Sequence, residues 1–124
     1  MAELATYIGI VPQTIKVGAS ALARGVRVSL DSGGLATVTD ASTRGDFITL
    51  QAGAIGEFIA AAPMSDGGAV PALAGEASCD QGDLAYSYAG GAVGVTSSGA
   101  VIVGRWRQTT ASGKLGSIQL FTAA

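Results

Sequence analysis

Apolar and polar residues alternate along much of the chain with the two-residue period of β-strands. Between residues 26 and 30, Val, Val and Leu alternate with Arg27 and Ser29, which predicts a half-buried strand. Residues 31–34 (Asp-Ser-Gly-Gly) are typical of a hairpin turn, because glycine accepts a positive φ without a clash at Cβ. Residues 35–39 then predict the return strand.

Short apolar segments separated by glycine turns continue to the end of the chain. They predict further strands at 47–51, 57–62, 84–88, 92–96, 101–108 and 116–122. Between 63 and 81 the alternation is lost among Ala, Gly, Pro and Ser, and we interpret this stretch as a connection with at most one helical turn at 71–77. No segment has the pattern of a long amphipathic helix. The predicted fold class is all-β, a small antiparallel β-barrel or sandwich.

Two segments of the chain repeat each other at an offset of 57 residues. Residues 22–39 align without gaps on residues 79–96, and each consists of a glycine-opened strand, a Gly-Gly turn and a second strand that ends in Val-Thr. At the same offset Gly56 falls on Gly113. The chain therefore predicts one β domain at 18–124, built from pseudo-repeats at about 18–62 and 79–122.

Residues 1–17 predict an extended N-terminal arm. Two β-rich stretches, 8–11 and 14–17, are separated by Pro12, which cannot occupy a central strand. An extended arm offers unpaired backbone groups that can add a strand to a neighbouring molecule. Partner contacts are expected from Tyr7, Ile8, Ile10, Val11 and Ile15.

The segment 101–107 combines aliphatic residues with Arg105, Trp106 and Arg107. Strand alternation puts Val103 and both arginines on one face and Trp106 on the other. Trp and Arg are enriched at interface hot spots, whereas a lone Trp in a small domain also fills cores. The sequence leaves Trp106 open between core and interface, and favours the two arginines as partner contacts.

Composition limits the classes of partner. Charged residues make up 13% of the 124, about half the usual share, and 19 glycines allow backbones to approach closely. A surface so poor in charge favours coverage by copies of the chain or by a partner. The net charge of −2 argues against nucleic acid, and no apolar run is long enough to predict a membrane span.

Reactive groups are scarce. Histidine is absent, which removes the usual general base and the commonest metal ligand. The single Cys79 fits synthesis in a reducing cytoplasm and predicts a small buried residue that opens the second repeat. Asp80 and Asp83 lack the further ligands of a calcium loop, and the glycines at 90–94 do not precede a helix. No enzymatic activity, metal or cofactor is expected.

Four short motifs follow one another in the second half. They are Gly82-Asp83-Leu84, Gly90-Gly91-Ala92-Val93, Ile102-Val103-Gly104 and Ile118-Gln119-Leu120. This succession resembles the small capsid cement, or head decoration, proteins of tailed bacteriophages, over about residues 18–121. The chain departs from the family pattern at 105–107, where the family often has Val- or Ala-rich residues.

The resemblance implies a β-barrel-like protein on the outer capsid surface of a virion, made in the bacterial host cytoplasm. Its partners would be the major capsid protein, whose neighbouring subunits it would cement, and itself, as a homotrimer. Alternatives are a tail-tube or head-completion component. From another class come a lipoyl- or biotinyl-like carrier, for which Lys114 lacks the usual flanking residues, and a small-ligand-binding β module.

Overall fold

The computed structural model describes residues 9–65 and 67–122. Its first five strands are β1 Gln13–Val17, β2 Arg27–Leu30, β3 Leu35–Val38, β4 Phe47–Thr49 and β5 Phe58–Pro63. The next five are β6 Ala69–Leu73, β7 Leu84–Ser87, β8 Val93–Gly94, β9 Ile102–Trp106 and β10 Leu115–Leu120, with a 3-10 turn, Ala89–Gly91, before β8. The predicted all-β fold is confirmed.

The first five strands form a closed barrel in the order β1-β3-β2-β4-β5. β1 closes it, because β1 runs parallel to β3 and antiparallel to β5, with Lys16 beside Leu35 and opposite Phe58. The second five strands form a sheet in the order β6-β10-β9-β7-β8. A parallel bridge from Ala74 to Val93 joins the two end strands of that sheet. The second sheet therefore curves into a barrel-like shape with the same strand arrangement as the first.

The two halves share their residue register. Each pair of neighbouring strands in the first barrel has a counterpart in the second sheet 57 residues later. Examples are Lys16–Phe58 with Leu73–Leu115, Arg27–Ile48 with Leu84–Arg105, Thr49–Ala61 with Trp106–Ile118, and Leu22–Gly53 with Cys79–Thr110. We call the two units the first and second barrel. The predicted duplication thus extends to strand pairing.

The duplicated unit begins earlier than the sequence predicts. An arm that includes residues 13–17 is wrong, because β1 pairs on both sides within the first barrel and Ile15 and Val17 are buried there. Pro12 precedes β1 and so does not interrupt it. The earlier residues 1–8 lie outside the described residues.

The predicted connection at 63–81 is also wrong, because it contains β6, the counterpart of β1. The expected helical turn at 71–77 is replaced by extended strand, with Pro71 opposite Ser117. β6 lies at the end of the second sheet and pairs along its length only with β10, a position in which proline is tolerated.

Two clusters of buried side chains form the core. One fills the first barrel: Ile15, Val17, Leu22, Val26, Val28, Ala36, Ile59 and Ala61. The other fills the second barrel and also includes Ile48, Leu50, Ala62 and Met64, from β4, β5 and the residues after them. The outer face of β4 and β5 is therefore the surface on which the second barrel packs.

Candidate interaction surfaces

Strand β9, which carries the predicted contact residues Arg105 and Trp106, contains an irregularity in its pairing with β7. Ala85 lies opposite Gly104 and Tyr86 opposite Ile102, so Val103 is an extra residue, as in a β-bulge. Both Val103 and Gly104 are buried, whereas Arg105 is exposed. The prediction that Val103 shares a face with Arg105 is wrong, because the bulge shifts the alternation by one residue.

Trp106 belongs to the core. It is 1% exposed and sits in the cluster that fills the second barrel. Its indole Nε1 donates a hydrogen bond to the carbonyl of Gly94 at 3.2 Å, which satisfies the buried N–H. Of the two roles that the sequence left open for Trp106, the structure therefore shows the core.

Arg105 and Arg107 flank Trp106 and are both exposed. Nη1 of Arg105 donates to the carbonyl of Gly82 at 2.7 Å, and Nη1 of Arg107 donates to Oγ of Ser117 at 2.9 Å. The counterparts of the two arginines in the first barrel are Ile48 and Leu50, which pack at the junction between the barrels. The arginines therefore mark the equivalent face of the second barrel, and partner contact there stays a prediction.

The residues predicted as an arm divide into three groups. Tyr7 and Ile8 lie outside the described residues. Ile15 is buried in the first barrel, which removes its side chain from any partner, and Ile10 is partly buried against the second cluster. Val11 is 75% exposed. Contact of a partner with Val11 and Ile10 stays a prediction.

Arg27 holds the two barrels together and was missed by sequence reasoning. It is fully buried, although the alternation puts it on the polar face of β2. Nε donates to the carbonyl of Ala92 at 2.9 Å and Nη2 to that of Tyr88 at 2.5 Å, both in the second barrel. Its other acceptors belong to the first barrel and are Oγ1 of Thr39 and the carbonyls of Asp40, Thr43 and Arg44.

Burial of the Arg27 guanidinium lowers its pKa to about 10, an effect that the nearby Asp40 partly opposes. The side chain stays protonated at neutral pH and its charge is solvated by carbonyl oxygens instead of water. One sequence signal pointed to this burial: the counterpart of Arg27 in the second repeat is the apolar Leu84.

Close backbone contacts complete the junction. Gly25 has a φ of +80°, and a Cβ built on it would lie 2.5 Å from Cδ1 of Leu115. The amide of Leu73 donates to the carbonyl of Gly25 at 2.9 Å. From the other side, a Cβ on Gly91 would lie 2.8 Å from the carbonyl oxygen of Arg27. Glycine at these positions lets the backbone of each barrel approach the other barrel closely.

A shallow depression of about 330 Å³ lies beside the junction. Its lining residues are Ala41, Glu76, Ser87, Tyr88, Ala89, Thr96, Ser98 and Ala100. The Glu76 carboxylate accepts from the amides of Val95 and Thr96 at 2.8 and 3.0 Å and from the Thr96 hydroxyl at 2.8 Å. Burial acts to raise the pKa of Glu76, but these hydrogen bonds outweigh it and lower the pKa. The carboxylate fastens the segment after β8.

The described residues offer little chemistry. Cys79 is buried as predicted, and burial raises the pKa of its thiol, so it stays protonated and unreactive. Within residues 9–65 and 67–122, no group of three His, Cys, Asp or Glu residues could hold a metal ion. In the same part of the chain, no helix has the length and apolar character to cross a membrane. The absence of enzymatic activity stays a prediction.

Comparison with known proteins identifies a fold. Neither a protein-family profile nor a curated protein matches the chain. The solved structure of the N base of head fiber gp8.5 in bacteriophage phi29 is similar, with 15% identity and a TM-score of 0.71. The alignment covers 90% of this chain and 94% of that one. The two chains therefore share the double-barrel architecture over nearly their whole lengths.

Proposed function

We propose that this protein is a structural component of a phage virion that binds the outer surface of the capsid and cements neighbouring major capsid subunits. The observation that carries the proposal is the fold likeness, which spans nearly all of both chains, to a protein described as the base of a phage head fiber. The resemblance of the glycine and aliphatic motifs to head decoration proteins points to the same place in the virion.

The surface of the described residues suits such a role. Its accessible features include Arg105 on β9, Arg107 directly after β9, and exposed apolar side chains such as Val11 and Phe58. Weak contacts of this kind give tight overall binding when one assembly makes several of them to the same shell. Once the first contact has formed, the others form at a high effective concentration. The proposed partners are the major capsid protein and further copies of the chain, as a homotrimer.

Binding to heads tests the proposal. Purified protein is mixed with expanded heads assembled from the major capsid protein of the same phage and lacking decoration. We expect saturable co-sedimentation and a higher temperature of head rupture. Absence of binding would overturn the proposal, and binding without a change in rupture temperature would retain attachment to the head but overturn cementing.

A matched pair of variants locates the contact. Replacing Arg105 and Arg107 together with Ala should weaken head binding about tenfold, the scale of lost charged contacts at an interface. Replacing the exposed Lys114 with Ala should leave binding unchanged. Binding to necks or tails instead of heads would favour a head-completion or tail component, and an added lipoyl or biotinyl mass on Lys114 would favour a carrier.

A further inference from the structure

The contact between the two barrels is head-to-tail, because it uses different faces of the two repeats. Gly25 of the first barrel lies against Leu73 and Leu115 of the second. A two-fold contact would also place Gly82, the counterpart of Gly25, against a neighbouring barrel. Instead, nothing lies within 4 Å of a Cβ built on Gly82. A head-to-tail contact leaves one unused copy of each face on the molecule.

The unused face of the first barrel carries Lys16 and Phe58, the counterparts of Leu73 and Leu115. Phe58 is 69% exposed, which is a high fraction for an aromatic side chain on a strand. The Lys16 ammonium stands 5.6 Å from the centre of the Phe58 ring, in the range of a cation–π contact. This face presents an apolar anchor beside a positive charge.

The unused face of the second barrel surrounds Gly82, with Asp83 and Leu84 beside it. The φ of Gly82 is +93°, close to the +80° of Gly25, so the backbone has a similar shape at both positions. In the first barrel, this shape receives the side chain of Leu115. At Gly82 the equivalent space is open.

One pair of opposite charges, Lys16 and Asp83, lies on the two unused faces. Leu73 packs against the buried cluster that contains Val26. The counterparts of Leu73 and Val26, 57 residues away in each case, are Lys16 and Asp83. Repetition of the internal contact between two molecules would thus bring Lys16 to the part of the second barrel that carries Asp83, so opposite charges replace apolar side chains on the two sides.

The repeated contact would be smaller than the internal one. The apolar junction residues Ile48 and Leu50 are replaced on the second barrel by the exposed Arg105 and Arg107. Arg105 also donates to the carbonyl of Gly82, so its guanidinium borders the contact, which lacks the apolar area of Ile48 and Leu50. This polarity suits an interface between separate molecules better than a permanent core.

We propose that a second copy of this chain docks head-to-tail, with Gly82 and Asp83 of one copy against Phe58 and Lys16 of the next. Copies joined in this way form a ring if the rotation closes and a filament if it does not. The inference does not depend on capsid binding. It is tested on the isolated protein, so its failure is separate from a failure to bind heads.

Cysteine crosslinking tests which faces meet. The variants Phe58→Cys and Asp83→Cys are prepared separately, mixed at high concentration and treated with a short bis-maleimide, while the buried Cys79 stays unreactive. We expect a crosslinked dimer in the mixture, about tenfold above either variant alone. A dimer formed by the Phe58→Cys variant alone would show a two-fold contact and overturn the proposal, as would a mixture without the dimer.

Charge exchange tests the pairing. Lys16→Glu and Asp83→Lys should each weaken self-association about tenfold in sedimentation velocity, and the variant with both changes should regain the original affinity. Lys114→Glu, an exposed lysine outside both faces, is the control and should leave the association unchanged. Circular dichroism verifies that each variant is folded. Failure of the double change to restore association would overturn the pairing.

Discussion

The two barrels have the same strand register but fill their interiors differently. The first uses branched aliphatic residues around a small polar one: Ile15, Val17, Leu22 and Ile59 around Thr49. The second has small residues around a large aromatic one: Ala72, Ala74, Cys79 and Gly116 around Trp106. The second barrel has smaller side chains at the first four positions. The larger Trp106, and Ile118 in place of Ala61, fill the volume that these leave. The comparison shows that duplicated backbones conserve pairing while the packing volume moves between positions.

One contact shows the exchange directly. In the first barrel a Cβ on Gly53 would lie 2.5 Å from Cγ2 of Ile59, so a glycine faces a large side chain. At the counterpart positions the sizes are reversed, and a Cβ on Gly116 would lie 2.1 Å from Oγ1 of Thr110. Each pair has room for only one side chain. In the first barrel this side chain belongs to Ile59, and in the second barrel it belongs to Thr110, the counterpart of Gly53.

The largest predicted loss of stability comes from replacing Trp106 with threonine, the residue at the equivalent position 49 of the first barrel. Trp106→Thr leaves the small residues of the second barrel without their filler, and we expect a loss of about 4 kcal/mol in the free energy of unfolding. Urea denaturation measures it. Trp106→Phe retains most of the volume and should lose about half as much. A loss below about 1 kcal/mol for Trp106→Thr would contradict this account of the core.

Arg27→Leu tests the junction between the barrels by substituting the residue type of Leu84, the counterpart of Arg27 in the second repeat. The acceptors around the guanidinium lose their donors in a buried site, and we expect a loss of about 3 kcal/mol in the same assay. Arg105→Leu, an exposed arginine, is the matched control and should cost less than about 0.5 kcal/mol. Equal losses would mean that Arg27 does not join the barrels.

Gly25→Ala and Gly82→Ala compare equivalent turns. Both place Ala at a positive φ, which costs about 1 kcal/mol in each case. Only at Gly25 does the new Cβ also meet Cδ1 of Leu115 and the backbone of Leu73. We expect Gly25→Ala to cost about 2 kcal/mol more than Gly82→Ala. Similar midpoints in thermal unfolding would contradict the head-to-tail junction.

Glu76→Gln should have the smallest effect, and one that depends on pH. The folded state lowers the pKa of Glu76 below its ordinary 4.5, so the ionised carboxylate stabilises the fold above that pH. This contribution disappears as the pH falls through the lowered pKa. We expect Glu76→Gln to cost about 0.5 kcal/mol at pH 7 and nothing at pH 2. A cost that does not change with pH would show that the charge is not involved.

Much of the fold was accessible from the sequence because alternation detects half-buried strands. Eight predicted strands correspond to β2–β5 and β7–β10, most to within one or two residues at each end. β6 escaped because four of its five residues are buried and one is Pro71, so its sequence has no alternation. β1 and β6 have no residue in common at the repeat offset, which hid their equivalence.

The interaction surfaces were less accessible. The exposure of Arg105 and Arg107 follows from alternation with Trp106, but the burial of Trp106 depends on the four small residues that surround it. Arg27 was missed because its acceptors come from segments 39–44 and 88–92, which only the packing of the two barrels brings together. The unused faces around Gly82 and Phe58 became visible only through the contact between the barrels.

The central claim, that this double barrel is a structural protein of a phage head, is tested most directly by electron cryo-microscopy of heads incubated with the purified protein. We expect density on the outer capsid surface into which two five-stranded barrels per copy fit, in contact with neighbouring major capsid subunits. Bare heads at saturating protein, or density confined to the neck or tail, would contradict the claim.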